Sequence, residues 1–199
     1  VCDKTGTLTE GKPRLTCVMA AQGFREDEVL QLGASLERAS EHPLAAAIVG
    51  GAGERKLALL PVTDFQSETG KGVRGNIGGK AVAIGNRRML ESLNIDPLAL
   101  DEQAAERRAE GETVMYVAID NKPAGLIGAA DPIKVATPEA IRELHAEGLR
   151  IVMLTGDNKI TAEAVARKLG IDRVIAEVLP EQKVEVVKQL QAEGRVVAM

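Results

Sequence analysis

Tryptophan is absent, and one tyrosine and two phenylalanines are the only aromatic residues among 199. A core built on stacked rings is excluded, so Val, Ile, Leu and Ala must fill the interior. Two cysteines, Cys2 and Cys17, are too few for a disulfide framework or a thiolate metal cage, and a reducing, cytosolic side is the simplest reading. Positive charge is not in excess: 25 basic residues face 29 acidic ones, a net −4. That balance argues against bulk nucleic-acid binding and against a polybasic membrane face. No run approaches the roughly 18 apolar residues of a membrane-spanning helix, and no secretory leader is recognisable. What is present is the balance of a soluble globular protein, 45% apolar and 27% charged. The sequence starts in one apolar run without an initiator Met and stops in another, GRVVAM, so both ends read as cut and the chain as part of something larger.

Three textures follow one another. After the opening VCDKTGTLTEGKP, the segment EDEVLQLGASLERAS has helical spacing at Val29, Leu32 and Leu36, and Pro43 suits the first turn of a second helix. Short runs then alternate: VTDFQSE, GVRGNIGG, KAVAIGN, a helix over 88–93, a polar helix over 101–110, and strands TVMYVAID and AGLIGAA. NIGG and IDNKP are turn signals between strands, which reads as hairpins of an antiparallel sheet. From Asp131 onward helix and strand alternate strictly. PEAIRELHAEG, KITAEAVARKLGI and PEQKVEVVKQLQAEG read as helices, and RIVMLTGDN, VIAEVL and RVVAM carry the strands. Such β-α alternation predicts a parallel sheet covered by helices, with chemistry at the carboxyl ends of its strands. VCD fits as one more strand of that sheet. The expected fold is therefore α/β: a parallel-sheet domain made of 1–14 and 128–199, with an inserted α+β domain at 15–127 that contains an antiparallel sheet.

Asp3 then stands just past a strand end, where loop amides gather phosphate oxygens. Thr155 and Asp157 stand at the end of a second strand, and Lys183 opens a later helix. A carboxylate that attacks a phosphoryl group needs donors for the phosphoryl oxygens, here Thr155 and the Gly156 amide. It also needs a fixed cation, here Lys183, and a metal ion held by carboxylates. All but a complete metal site are present. Bringing a carboxylate to a polyphosphate is an encounter of like charges, which explains the lysine and the hydroxyls around Asp3.

DKTGTLT together with TGDN and PEQK resembles the P-type ATPases, a branch of the haloacid-dehalogenase-like phosphotransferases. The resemblance spans the whole chain and implies a phosphorylation domain carrying an inserted nucleotide-binding domain. It implies that Asp3 takes the γ-phosphoryl group of ATP and is then hydrolysed, with Mg²⁺ bound through Asp3 and Thr5. Lys4 flanks the aspartate, Thr5 steers the phosphoryl group, Thr155, Gly156 and Asp157 form the second phosphate block, and Lys183 neutralises charge. Asp131, in DPIK, matches the family's hinge aspartate. Members continue into a GDG-x-ND block whose aspartates hold Mg²⁺; this sequence stops at Met199, so the implied behaviour of the fragment alone is nucleotide binding with impaired turnover.

SEHPLA resembles the His-Pro motif of the heavy-metal-transporting group, which implies that His42 lies against the nucleotide and Glu37 reaches the adenine. Gly70 and Gly72 of GKGVRG, with Gly85 and Asn86 of IGN, would let the backbone approach base and phosphates. Read alone, the G-x-G-x-x-G of 70–75 would suggest a dinucleotide fold, but another strand-like run follows it rather than a long helix. The wording TEGKP, SLERASEHPLAAAI and VMLTGDN is closest to bacterial monovalent-copper exporters. The resemblance then implies a translocase on the cytoplasmic face of a bacterial inner membrane, partnered by membrane and actuator domains of the same pump. Transported Cu⁺ would not bind this region, and no nucleic acid is expected. A zinc, cadmium or lead exporter is the alternative within the group. A stand-alone phosphatase commonly has a second aspartate where Thr5 stands, which disfavours it. His145, near a helix end, reads as a surface or capping residue, and neither cysteine as a metal ligand.

Overall fold

A computed structural model describes residues 1–40, 44–157, 159–179 and 182–199. In chain order its elements begin with β1 (Cys2–Asp3), β2 (Arg14–Ala20), α1 (Glu26–Glu37), α2 (Ala45–Glu54), β3 (Thr63–Glu68) and β4 (Gly72–Ile77). Next come β5 (Lys80–Gly85), α3 (Arg87–Ser92), α4 (Leu98–Ala109), β6 (Thr113–Ile119) and β7 (Lys122–Ala130). The last are α5 (Thr137–Ala146), β8 (Val152–Leu154), α6 (Lys159–Leu169), β9 (Arg173–Ile175) and α7 (Lys183–Ala192). They fall into two compact units, one of 1–12 and 131–199 grouped with 109–111, the other of 13–108 and 112–130.

In the first unit β1, β8 and β9 form a parallel sheet in that order. Cys2 pairs with Met153, Asp3 with Leu154, and Leu154 with Ile175. Helix α6 buries Ala162, Val165, Ala166 and Leu169, the i, i+3, i+4, i+7 stripe expected of a helix laid on a sheet. They join Leu8, Ile141, Ile151 and Met153 in one aliphatic core, where each fully buried Leu or Ile contributes roughly 1.5–3 kcal/mol. Pro138 starts α5 inside its first turn, and Gly148, at φ 75°, follows its end.

The second unit is a six-stranded antiparallel sheet in the order β2-β7-β6-β5-β4-β3. Its central strands are buried on both faces. Val82, Ile84, Val117, Ile119 and Ile127 pack with α1 and α2, while the alternate residues Ala83, Tyr116, Ala118 and Leu126 pack with α3 and α4. The period of two thus sorts one strand between two cores. Both expected hairpin turns have left-handed central pairs, Gly78-Gly79 and Asp120-Asn121, the geometry that matches the strand twist. Among the described residues no helix is long and apolar enough to cross a membrane.

Three local readings are corrected. RLTCVMA, not assigned to any element above, is β2, aligned antiparallel with β7 from Arg14↔Ala130 to Ala20↔Gly125. The strand in VIAEVL is confined to the first part of that run, since β9 ends at Ile175 and Glu177 turns at φ 59°. RVVAM is not a strand. A strand exists only through its ladder, and among the described residues this segment pairs with no strand; the Val1 amino group donates to the Ala198 carbonyl at 2.7 Å, which is not a ladder.

Candidate functional site

The parallel sheet brings the loop after β1 beside the loop after β8. Because Asp3 pairs with Leu154, Thr155 stands one residue past that level on the neighbouring strand. Lys183, the first residue of α7, reaches in and places Nζ 2.6 Å from Asp3 Oδ2. Both side chains stay partly open to solvent, at 35% for Asp3 and 23% for Lys183. A half-open carboxylate with a cation on one oxygen retains a second oxygen for an incoming group.

A second ion pair lies beneath. Lys4 is buried, and its Nζ is 2.7 Å from Asp157 Oδ2. Thr155, also buried, donates its hydroxyl to the same carboxylate oxygen at 3.0 Å and accepts the Asp157 amide at 3.1 Å. Lys4, Thr155 and Asp157 are therefore one network rather than separate donors. Thr155 is held further by its amide on the Ile175 carbonyl, and Asp157 accepts the Glu177 amide on its own carbonyl. Gly156, between them, is exposed.

The loop itself is a wide turn over 4–8 in which Thr5 (φ −71°, ψ 123°) and Gly6 (φ 77°) leave helical geometry, exposing Thr5, Gly6 and Thr7. Carbonyls on this turn are taken from the segment after β7. The Gly6 carbonyl accepts Lys134 Nζ at 2.6 Å, and the Leu8 carbonyl accepts the Lys134 amide and the Thr137 hydroxyl. Fully buried Thr9 donates Oγ1 to Asp131 Oδ2 at 2.5 Å, and Asp131 Oδ1 accepts the Lys12 amide. Asp131 is thus a fastener of the Asp3 loop within its own unit. Sequence reasoning missed Lys134, Thr137 and Thr9. Only the nearness of DPIKVAT to the start of a helix hinted at them.

In the other unit, Gly70, Gly72, Gly85 and Asn86 come together at one end of β4 and β5. Gly72 pairs with Gly85 across the strands. A Cβ on Gly72 would lie 2.2 Å from the Ile84 carbonyl oxygen, and one on Gly85 would lie 2.3 Å from that of Lys71. Close strand approach is by itself a sufficient reason for both glycines, whereas Gly70, at φ 72°, has open space where its Cβ would be. Asn86 ties the corner together: Nδ2 donates to the Gly70 carbonyl at 2.7 Å, and Oδ1 caps α3 by accepting the Met89 amide. Glu37 is buried at the end of α1. His42 and Pro43, like Pro180 and Glu181 of PEQK, lie outside the described residues.

Outside these clusters, His145 Nε2 lies 2.9 Å from Asp172 Oδ2, which also accepts the Ile151 amide at 2.7 Å. That amide, first, and the histidine hold the Asp172 carboxyl below its ordinary value. Burial, and then Glu112 against its sulfur, push the Cys17 thiol up. No group of three or more His, Cys, Asp or Glu able to hold a metal occurs among the described residues. Asp3 offers a hard, half-open carboxylate and Thr5 is exposed beside it, oxygen donors that suit Mg²⁺, which takes one or two carboxylates and completes its shell with water and substrate phosphates.

Residues 1–199 match the family model described as haloacid dehalogenase-like hydrolase. Over its full length the chain is 53% identical to a copper-transporting P-type ATPase of Rhizobium leguminosarum bv. viciae, covering 24% of that protein. It is 48% identical, again over all of this chain and 24% of the relative, to a silver exporting P-type ATPase of Salmonella typhimurium. The chain thus spans about a quarter of the length of the curated relatives it matches. Among solved structures it resembles a zinc-transporting PIB-type ATPase in an E2.Pi state, at 36% identity and a TM-score of 0.79, over 96% of this chain and 31% of that one. The parallel sheet corresponds to a phosphorylation domain and the inserted antiparallel sheet to a nucleotide-binding domain.

Proposed function

The chain belongs to the haloacid dehalogenase-like hydrolase family, closely related to the catalytic region of bacterial heavy-metal-exporting P-type ATPases, and on that premise we propose that it hydrolyses ATP through an aspartyl phosphate at Asp3 and drives metal export. The observation that carries this reading is the pairing of Asp3 with Lys183 at 2.6 Å, beside Thr155 on the adjoining strand end.

An Asp3 oxygen attacks the γ-phosphorus of ATP, an O–P bond forms, and the bond to the β-phosphate oxygen breaks to release ADP. Two anions at 4 Å repel by about 4 kcal/mol at an effective dielectric near 20, and a lysine at similar distance offsets a cost of that size. Lys183 supplies that charge, and the exposed Gly156 amide is the donor left for the phosphoryl oxygens, with Thr5 steering from the loop. Thr155, expected as a second donor, instead spends its buried hydroxyl on Asp157 and positions that wall. Lys4 and Asp157 hold the second wall in place. Asp3 and Thr5 would hold Mg²⁺, which would supply neutralisation of phosphate charge. Water then cleaves the acyl phosphate, returning the Asp3 carboxylate and inorganic phosphate. In the inserted domain, Glu37 and His42 meet the base, and Gly70, Gly72, Gly85 and Asn86 let the backbone approach base and phosphates.

The whole protein is read as an integral membrane pump with this region at the cytoplasmic face, working with its membrane and actuator domains. Monovalent copper is the proposed cargo, supported by the copper-transporting relatives at 53%, 50% and 51% identity. The silver and zinc relatives set the competing cargoes. Acid-stable, hydroxylamine-sensitive labelling from γ-labelled ATP tests both levels in the intact pump, with Cu⁺, Ag⁺ or Zn²⁺ added. Labelling that needs Cu⁺ or Ag⁺ and disappears in Asp3→Asn is expected. Labelling driven by Zn²⁺ alone moves the cargo to the divalent group, and its absence with every metal in a folded, ATP-binding protein sinks the pump.

A further inference from the structure

We infer that Lys134 is a positioning residue for the phosphorylation step, acting through the Gly6 carbonyl; the inference rests on the reading of Asp3 as the nucleophile. Gly6 turns at φ 77° at the crest of the loop that begins with Asp3, flanked by exposed Thr5 and Thr7. A crest of this kind has no core to hold it. Lys134 Nζ reaches its carbonyl at 2.6 Å, and the Lys134 main-chain amide bonds the Leu8 carbonyl at 3.1 Å. One residue therefore grips the turn twice, two carbonyls apart, from a segment 128 positions away in sequence.

The grip on Gly6 differs from the two on the Leu8 carbonyl in being charge-assisted, the stronger kind of hydrogen bond. It is also made by a side chain that takes no part in the core, since Lys134 is partly exposed. The Leu8 carbonyl keeps the Thr137 hydroxyl and the Lys134 amide when the side chain is changed, so the base of the loop persists. Loss of the ammonium frees the crest alone. The Asp3 carboxylate and the Thr5 backbone then sample a wider range, and a misplacement near 1 Å lowers a transfer rate by up to about a hundredfold. Nucleotide affinity, set in the other domain, is not touched.

Lys134→Met, Lys134→Gln and Lys134→Arg test this, with Asp3→Asn as the labelling control. The first readout is the backbone ¹⁵N order parameters of residues 5–7 in the 199-residue chain, which need no activity. Lys134→Met should lower them there and nowhere else; Lys134→Gln, with a neutral donor, should fall between Met and the parent and serves if the Met variant does not fold. The second is the rate of aspartyl-phosphate formation, which should fall by about tenfold or more in Lys134→Met, with the KM for ATP unchanged and most of the rate restored by Arg. Unchanged order parameters at residues 5–7 overturn the proposal, as does a rate loss that Arg does not relieve or that appears in KM instead. If the parent itself takes no label, the nucleophile reading falls, and with it the role in phosphorylation, while the order parameters still report whether Lys134 holds the turn.

Discussion

Replacing Asp157 with asparagine keeps the shape of the side chain but removes the charge facing the Lys4 ammonium. The two ends of that ion pair are unequal: the Lys4 side chain is 6% exposed and that of Asp157 is 37% exposed. Breaking a buried pair by deleting one partner costs about 3–5 kcal/mol because the survivor is left charged and dry. Asp157→Asn strands the buried lysine, so its cost should lie at the low end of that range, about 3 kcal/mol. Lys4→Met strands a carboxylate that water and the Thr155 hydroxyl already reach, and about 1 kcal/mol is expected. The double variant should cost little more than Lys4→Met, a coupling of about 3 kcal/mol. The chain has no tryptophan, and its single tyrosine lies in the antiparallel sheet, so intrinsic fluorescence cannot report on the parallel one. Native-state hydrogen exchange of the Thr155 amide, bonded to the Ile175 carbonyl at 3.1 Å, reads the opening of that sheet directly. A larger cost for Lys4→Met than for Asp157→Asn, or strict additivity of the two, would refute the argument from unequal burial.

At Asp172 the folded carboxyl titrates below its ordinary value of 3.8, so the protein gains stability from its ionised form above that value and loses it as pH falls through the lower, folded value. Melting curves of the parent and Asp172→Asn should differ at pH 6 and converge in the acid range below the ordinary value; a gap that persists there means that the charge is not the source. Gly72→Ala drives a Cβ into the Ile84 carbonyl at φ 155°, and Gly70→Ala meets only open space at φ 72°. The second change should cost about 1 kcal/mol, and the first several times as much, with loss of ATP binding; equal melting temperatures for the two would remove the strand-approach explanation.

Much of the architecture is written in periodicity. The alternation of helix and strand after Asp131 marks the parallel sheet, and the runs from Thr63 to Ala130 mark an antiparallel one. β2 escaped because its partner β7 lies about a hundred residues on and only the ladder identifies it. RVVAM looks like a strand for the converse reason: pattern records willingness to pair, not the presence of a neighbour. Lys183 is expected from sequence as a fixed cation for the phosphoryl group, because a strand-end carboxylate beside phosphates calls for one; its pairing with Asp3 itself comes from the structure. Lys4 reads in sequence as a cation beside Asp3 that offsets phosphate charge, and the structure corrects this: its buried ammonium is spent on Asp157. Lysines are rarely buried, so sequence gives no sign that this one runs inward to Asp157. Lys134 was invisible, since the group it holds is a main-chain carbonyl 128 positions away and carbonyls carry no signature. The glycines at 72 and 85 illustrate a different limit: their spacing says that room is needed, and the cross-strand contact supplies one use for it.

The central claim is that Asp3 itself carries the phosphoryl group. Protein quenched in acid during ATP turnover, reduced with borohydride and digested for mass spectrometry, converts an aspartyl phosphate into homoserine at the modified position. Homoserine at position 3, absent without ATP and absent in Asp3→Asn, is the expected result. Homoserine at Asp157, or phosphate found on Thr5 or Thr7 with Asp3 intact, would contradict the account.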